Sequence, residues 1–215
     1  VVYSEIGNNM RRYVFPSGTG LIVYNVTVSN SDQFNNVLEE IAKDNFYADV
    51  IIINLKRNVY KLNKGSYRDQ EWNYNIHLTH GSLYINGDDS IIDDGYNNNF
   101  ITIESGCDVT IQDLTFTKFY RVFVNNGDLL CKNCYFTNNE AYFISTSTPG
   151  SVIYNKNRAT FEYCTLNSNQ NYLYKTADIY EYDFSNHPFY IQTQLFLDLI
   201  NKSYRTLHPT LLNDD

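Results

Sequence analysis

Three stretches of this chain superimpose without a gap: Val109 to Thr117, Leu129 to Thr137 and Ala159 to Asn167. Their first, third, sixth and eighth positions are apolar in every copy: Val109, Ile111, Leu114, Phe116; Leu129, Cys131, Cys134, Phe136; Ala159, Phe161, Cys164, Leu166. A two-residue side-chain period keeps one face of a strand inward. The extra residue between the third and sixth positions breaks the phase, so each copy reads as two short strands joined by a corner after which the second strand also points inward. Repetition every ~20 to 30 residues is the pattern of a parallel β-solenoid, in which no single repeat can bury its own face.

The pattern needs core material, and the composition supplies it. The 215 residues are 43% hydrophobic, with 20 Tyr and 13 Phe, enough for one continuous core and far from a disordered composition. The chain holds 29 asparagines, many where corners are expected, as at Asn97, Asn98 and Asn99 or Asn125 and Asn126. Asn tolerates left-handed backbone angles and bonds its own backbone; a codon bias toward Asn, Tyr, Ile and Lys would give the same enrichment. The net charge of −8 and the scattered Lys and Arg residues lack the basic stripe of a nucleic-acid binder. No apolar run approaches bilayer length, the longest being Val50 to Ile53 and Leu195 to Ile200, so no membrane span is expected. A start at Val1 without a leader pattern reads as a processed protein or a piece excised from a larger modular one.

Cys107, Cys131, Cys134 and Cys164 allow three full pairings. The Cys131 to Cys134 spacing lacks both the helix start of a redox motif and the second ligand pair of a zinc site. Three of the four fill inward repeat positions, where Cys behaves as a small hydrophobe. Cys134 and Cys164 would neighbour each other in successive repeats, but parallel Cβ directions disfavour a disulfide.

The remaining elements follow the same logic. Residues 1–22 read as an N-terminal extension and Val23 to Val28 as a strand. A helix over about 31–44 follows, opening at Ser31 with Phe34, Val37, Leu38 and Ile41 on one face. Such an amphipathic helix suits the exposed end of a solenoid. Strands are expected at Asp49 to Leu55, Val59 to Leu62, Ile76 to Leu78, Leu83 to Ile85, Ser90 to Ile92 and Phe100 to Ile103. Asn63 to Asn75, which holds Trp72, reads as a loop, and Phe143 to Tyr154 as an insertion forming a variable binding edge. The repeat spans 23–170; 171–215, rich in Tyr and with a helix expected from Ile191 to Ser203, reads as a C-terminal cap or docking segment. The fold expected is a single-domain, all-β, right-handed parallel β-helix with an N-terminal capping helix and a C-terminal helical segment.

The segment Val26 to Asn30 before the helix, Leu83 to Asp93, and the copy Val109 to Thr117 together resemble the β-helix repeat domains of adhesin-like surface proteins of methanogenic archaea. Pectate-lyase-like solenoids share the wider fold. The resemblance covers roughly Val23 to Asn169 and implies an extracellular or cell-surface, non-enzymatic module with a glycan or protein ligand and no cofactor. The sequons Asn25-Val26-Thr27 and Asn201-Lys202-Ser203 make Asn25 and Asn201 candidate glycosylation acceptors in such a setting.

The competing function is a carbohydrate-active β-helix enzyme, and a further one is a segment of a viral fibre. Gly87-Asp88-Asp89-Ser90 resembles the paired-aspartate motif of polygalacturonase-type glycosidases, in which two carboxylates flank a water. The Gly-His-Gly and Arg-x-Lys partners of that motif are missing, and past Asp89 the only histidines, His187 and His208, lie outside the repeat. Asp88, Asp89, Asp93 and Asp94 therefore read as solvated corner residues beside Gly87 and Gly95. A lyase would need a calcium-binding carboxylate cluster near a base, and Arg121 and Arg158 have no acidic cluster beside them in the repeat. His77 and His80, with no third ligand, read as partly exposed polar residues rather than a metal site.

Overall fold

The computed structural model describes residues 1–68, 73–143, 151–175, 178–179 and 211–213. The chain opens with β1 (Val2–Gly7), β2 (Met10–Val14), β3 (Gly20–Val28), α1 (Ser31–Ile41), β4 (Val50–Leu55), β5 (Val59–Lys61), β6 (Tyr67–Arg68) and β7 (Asn73–Leu78). Its centre is β8 (Ser82–Asp93), β9 (Asn99–Ile103), β10 (Asp108–Thr117), β11 (Arg121–Asn125) and β12 (Asp128–Lys132). Then come β13 (Tyr135–Thr137), β14 (Glu140–Phe143), β15 (Ile153–Asn155), β16 (Arg158–Glu162), β17 (Thr165–Asn167), β18 (Gln170–Lys175), β19 (Asp178–Ile179) and β20 (Leu211–Asn213). The described chain is thus mostly β, with α1 its one helix.

The register read from the repeat is the register of the sheets. Val109, Leu129 and Ala159 are parallel partners across β10, β12 and β16, as are Ile111, Cys131 and Phe161. Beyond the phase break, Phe116 pairs with Phe136 and Phe136 with Leu166. The ladder runs on through β8 to β4 and β3, all parallel. A second parallel ladder links β7, β9, β11, β15 and β20. The inward side chains between the ladders form the core, with Leu83, Ile85, Ile111, Phe116, Cys131 and Phe136 wholly buried.

The corner lies at the fifth position of each copy, where Asp113, Asn133 and Tyr163 take left-handed φ angles of 57°, 51° and 53°. A second left-handed residue closes each copy at Lys118, Asn138 and Ser168. An L-residue pays ~1–2 kcal/mol for this conformation unless it is Gly, Asn or Asp. Tyr163 is 92% exposed, so its ring returns nothing in packing. Tyr163→Asn should raise stability by about 0.5–1 kcal/mol, read from the urea midpoint; a lower midpoint would mean that the ring has a partner. In β8 the same corner holds three residues, Gly87, Asp88 and Asp89, against the single Asp113 of β10. Gly87 is required there, because a Cβ would lie 2.2 Å from the Asp113 carbonyl oxygen.

Asparagine does more than turn corners. On the outer face Asn54 donates to Asn25 (2.9 Å), Asn86 to Asn54 (2.8 Å) and Gln112 to Asn86 (3.0 Å), an amide ladder across four parallel strands. Inside, Asn139 Nδ2 donates to Asn169 Oδ1 (2.9 Å) and to the Phe116 carbonyl (3.1 Å), while its Oδ1 accepts from Phe119 N (2.9 Å). A buried amide so satisfied costs little, and it lets strands turn without orphaned backbone groups.

Helix α1 begins at an Asn30 cap, whose Oδ1 accepts from Gln33 N (2.9 Å) while Gln33 Oε1 accepts from Ser29 N (2.7 Å). It buries Phe34, Val37 and Leu38, with Phe34 edge-on to Tyr60 at 5.5 Å; Ile41 is only half-buried. Buried Asn35, which the apolar pattern does not anticipate, donates to the Lys61 carbonyl and accepts from Asn63 N. The helix thereby satisfies the free edge of β5.

Several expectations are adjusted. Residues 1–22 include a hairpin, β1 and β2, which joins β3 antiparallel and makes the large sheet mixed. The expected strands at Leu83 to Ile85 and Ser90 to Ile92 are one bulged strand, β8. The 63–75 loop contains β6, antiparallel to the start of β7; Trp72 lies outside the described residues. Of the 143–154 insertion, Val152, Ile153 and Tyr154 are buried, and β15 takes its place in the second ladder because apolar residues there complete the core. The helix expected at 191–203 lies outside the described residues, as do His187, His208 and Asn201.

Candidate functional site

Asp49, just before β4, is fixed by backbone bonds on both sides. Its N–H donates to the Ile22 carbonyl (2.8 Å), its carbonyl accepts from Ser82 N (3.0 Å), and its Oδ2 accepts from Ile22 N (2.8 Å). Gly81, at φ 71°, lets the following turn approach so closely that a Cβ would fall 2.1 Å from the Asp49 carbonyl oxygen. That approach delivers His80. Asp49 Oδ1 accepts from His80 Nε2 (2.8 Å) and from the Tyr47 hydroxyl (2.9 Å), and the Tyr47 and His80 rings stack at 5.0 Å. An ionised carboxylate only accepts, so His80 donates from Nε2 and keeps Nδ1 for a further hydrogen bond. The His80 bond and the Ile22 N–H hold the Asp49 carboxyl below its ordinary pKa.

A second aromatic group borders the same region through Tyr67 and His77. Tyr67 and Tyr74 stack at 5.3 Å with 14° between planes, and the His77 ring stands edge-on to both. His77 Nε2 meets Glu104 Oε1 at 2.7 Å. Burial, helped by the nearby Asp44 charge, pushes the Tyr67 hydroxyl pKa up. Tyr47, His80, Tyr67 and His77 line a cleft of about 290 Å³ floored by Ala48, Ile51 and Leu78, with Phe46, Lys43 and Thr79 also in its lining. Chemically it offers ring faces and fixed polar groups at hydrogen-bonding height. His77 and His80, expected from the sequence to be partly exposed polar residues, are so, and each is paired to a carboxylate and brought to one cleft.

The chain matches no protein-family model, no curated protein and no solved structure. Among the described residues no helix is long and apolar enough to cross a membrane, and no group of three or more His, Cys, Asp or Glu side chains is placed to hold a metal ion.

Asp88 and Asp89 lie away from the cleft, on the left-handed corner of β8 at φ 50° and 56°. Both are tied to Arg57, which the sequence did not single out. Arg57 N donates to Asp88 Oδ2 (3.1 Å), Arg57 Nε to the Asp88 carbonyl (3.2 Å), and Arg57 lies 2.8 Å from Asp89 Oδ2. An exposed pair of this kind is worth little, and Asn tolerates both the φ angles and the acceptor role. The double variant Asp88→Asn, Asp89→Asn should therefore melt within about 0.5 kcal/mol of wild type. A loss above about 2 kcal/mol would make Arg57 a structural clamp.

Arg158 pairs with one acid, its register neighbour Asp128, which accepts at 3.0 Å from both Nε and Nη2. The four cysteines are free thiols, buried except for half-buried Cys164. The Cys131 contact, with burial, pushes the Cys134 thiol pKa up, and the Cys134 contact does the same to Cys164, which leaves both unreactive. Asn25 is exposed on β3 within the amide ladder and borders a polar cavity of about 330 Å³ at the N-terminal hairpin.

Proposed function

We propose that this chain is a non-enzymatic, extracellular binding or display module of the adhesin-like kind, built as a right-handed parallel β-helix with α1 over one end. The observation that carries this reading is the continuous parallel register from β3 to β16, which makes a rigid stack whose outer face bears an amide ladder. A rigid stack of that kind suits display, because its outward positions vary without cost to the core. Asp88 and Asp89, the two groups an enzyme of this architecture would call on, are engaged by Arg57 at a corner. Glycan-array binding paired with a reducing-sugar assay on polyuronides tests the reading. Saturable binding without sugar release is the expected result. Sugar release that disappears in the Asp88→Asn, Asp89→Asn variant at unchanged stability would replace it with a glycosidase.

A further inference from the structure

We infer that the cleft lined by Tyr47, His80, Tyr67 and His77 is a subsite for one neutral pyranose ring of a glycan. The inference rests on the binding-module reading and gives it a location and a ligand class. A volume of about 290 Å³ is at the small end of ligand sites and suits a single ring. The apolar floor and the Tyr47 and Tyr67 rings match a ring with C–H faces, and aromatic side chains supply large contact area at low entropic cost.

The polar groups match a ring with hydroxyls at its edge. His80 Nδ1 is left for a ligand because Nε2 is committed to Asp49, the Thr79 hydroxyl both donates and accepts, and the Tyr47 oxygen, its proton given to Asp49, accepts. These side chains are held before any ligand arrives: Asp49 by three backbone-anchored bonds, His77 by Glu104. Preorganised groups lose little entropy on binding. Charge decides the class of sugar. Asp44 lines the cleft and Asp49 and Glu104 are bonded to its two histidines, whereas Lys43, the one lysine in the lining, is engaged with Glu40 at 2.6 Å. A uronate, sialate or phosphorylated sugar would meet like charge, and a neutral hexose or N-acetylhexosamine would not.

The test is chemical-shift titration of the full-length, isotopically labelled chain with methyl glucopyranoside, methyl N-acetylglucosaminide and glucuronate. The neutral glycosides should bind at millimolar level with shifts centred on Tyr47, Tyr67, His77 and His80, and glucuronate about tenfold more weakly. Tyr47→Ala should weaken neutral binding by about tenfold and Tyr47→Phe by less, because the second keeps the ring. Tyr47 is 52% exposed, and unchanged Phe116 and Phe136 signals would show that each variant is folded. Shifts centred elsewhere, glucuronate binding as tightly as the neutral glycosides, or unaltered affinity in Tyr47→Ala would each overturn the subsite while leaving the binding-module reading standing. Sugar release from polyuronides would overturn that reading instead, without moving the titrated site.

Discussion

Phe136→Ala should destabilise the protein by about 3–5 kcal/mol, the range of a buried aromatic truncated where neighbours cannot close in. Phe136 is wholly buried and stacks on Phe116 at 5.3 Å with 6° between planes. Phe123 and Phe161 meet it edge-on, each at 5.8 Å. The rings above and below are fixed by hydrogen-bonded strands in register, so collapse of the void would have to break the Phe116, Phe136 and Leu166 pairing. Leu166, its half-buried partner in the last copy, serves as the internal comparison: Leu166→Ala should cost about 1–2 kcal/mol, since a site open to water leaves a smaller cavity. Urea denaturation of both variants measures the contrast. Equal losses, or a loss under about 1 kcal/mol at Phe136, would contradict the stacked core.

That core was legible because it depends on a period-two pattern with one phase break, and the break at Asp113, Asn133 and Tyr163 lies where the alignment puts it. The asparagines were less legible. An Asn that turns a corner and an Asn that bonds its counterpart one repeat later leave the same mark in composition. Only the pairing of Asn139 with Asn169, 30 residues on, tells them apart. Val152 to Tyr154 falls within the insertion that the sequence suggests as a variable binding edge, because three residues are too short to show a strand's period.

The cleft was hidden for a different reason. Its groups run from Lys43 to Glu104 and share no local motif. A signal did exist: Val50 pairs with Ser82, so Asp49 must abut Gly81 and the His80 beside it once that register is known. In a stack of parallel strands, residues one repeat apart are neighbours, and chemistry has to be sought at that spacing rather than within a window. Arg57 with Asp88, and Arg158 with Asp128, obey the same rule.

Asp94 should make the stability of this protein fall as pH rises from about 4 to 7. The sequence suggests a solvated corner residue beside Gly95, yet Asp94 is 1% exposed. Its Oδ2 accepts from Asn97 N (2.9 Å) and Asn98 N (2.5 Å), its Oδ1 from Asn98 Nδ2 (2.6 Å), and Asn98 in turn anchors Asn63 and Gly65. Burial outweighs these bonds and, with Asp93 nearby, pushes the carboxyl pKa up to about 7. The unfolded chain releases this proton near pH ~3.9. Between the two values the native state holds a proton that the unfolded state has lost, so the slope of stability against pH is negative. The contribution is fully present below about pH 4 and lost by a little above pH 7, a span on the order of 4 kcal/mol. Asp94→Asn removes the titration but keeps an acceptor for the two backbone N–H groups, at the cost of facing the Asn98 amide with a second donor. The variant should therefore be clearly less stable than wild type at pH 4.5, and the difference should shrink or reverse at pH 7.5, with all other carboxylates common to both proteins. Urea midpoints at the two pH values measure it, and a difference that stays constant within about 0.5 kcal/mol would show that Asp94 is ionised throughout.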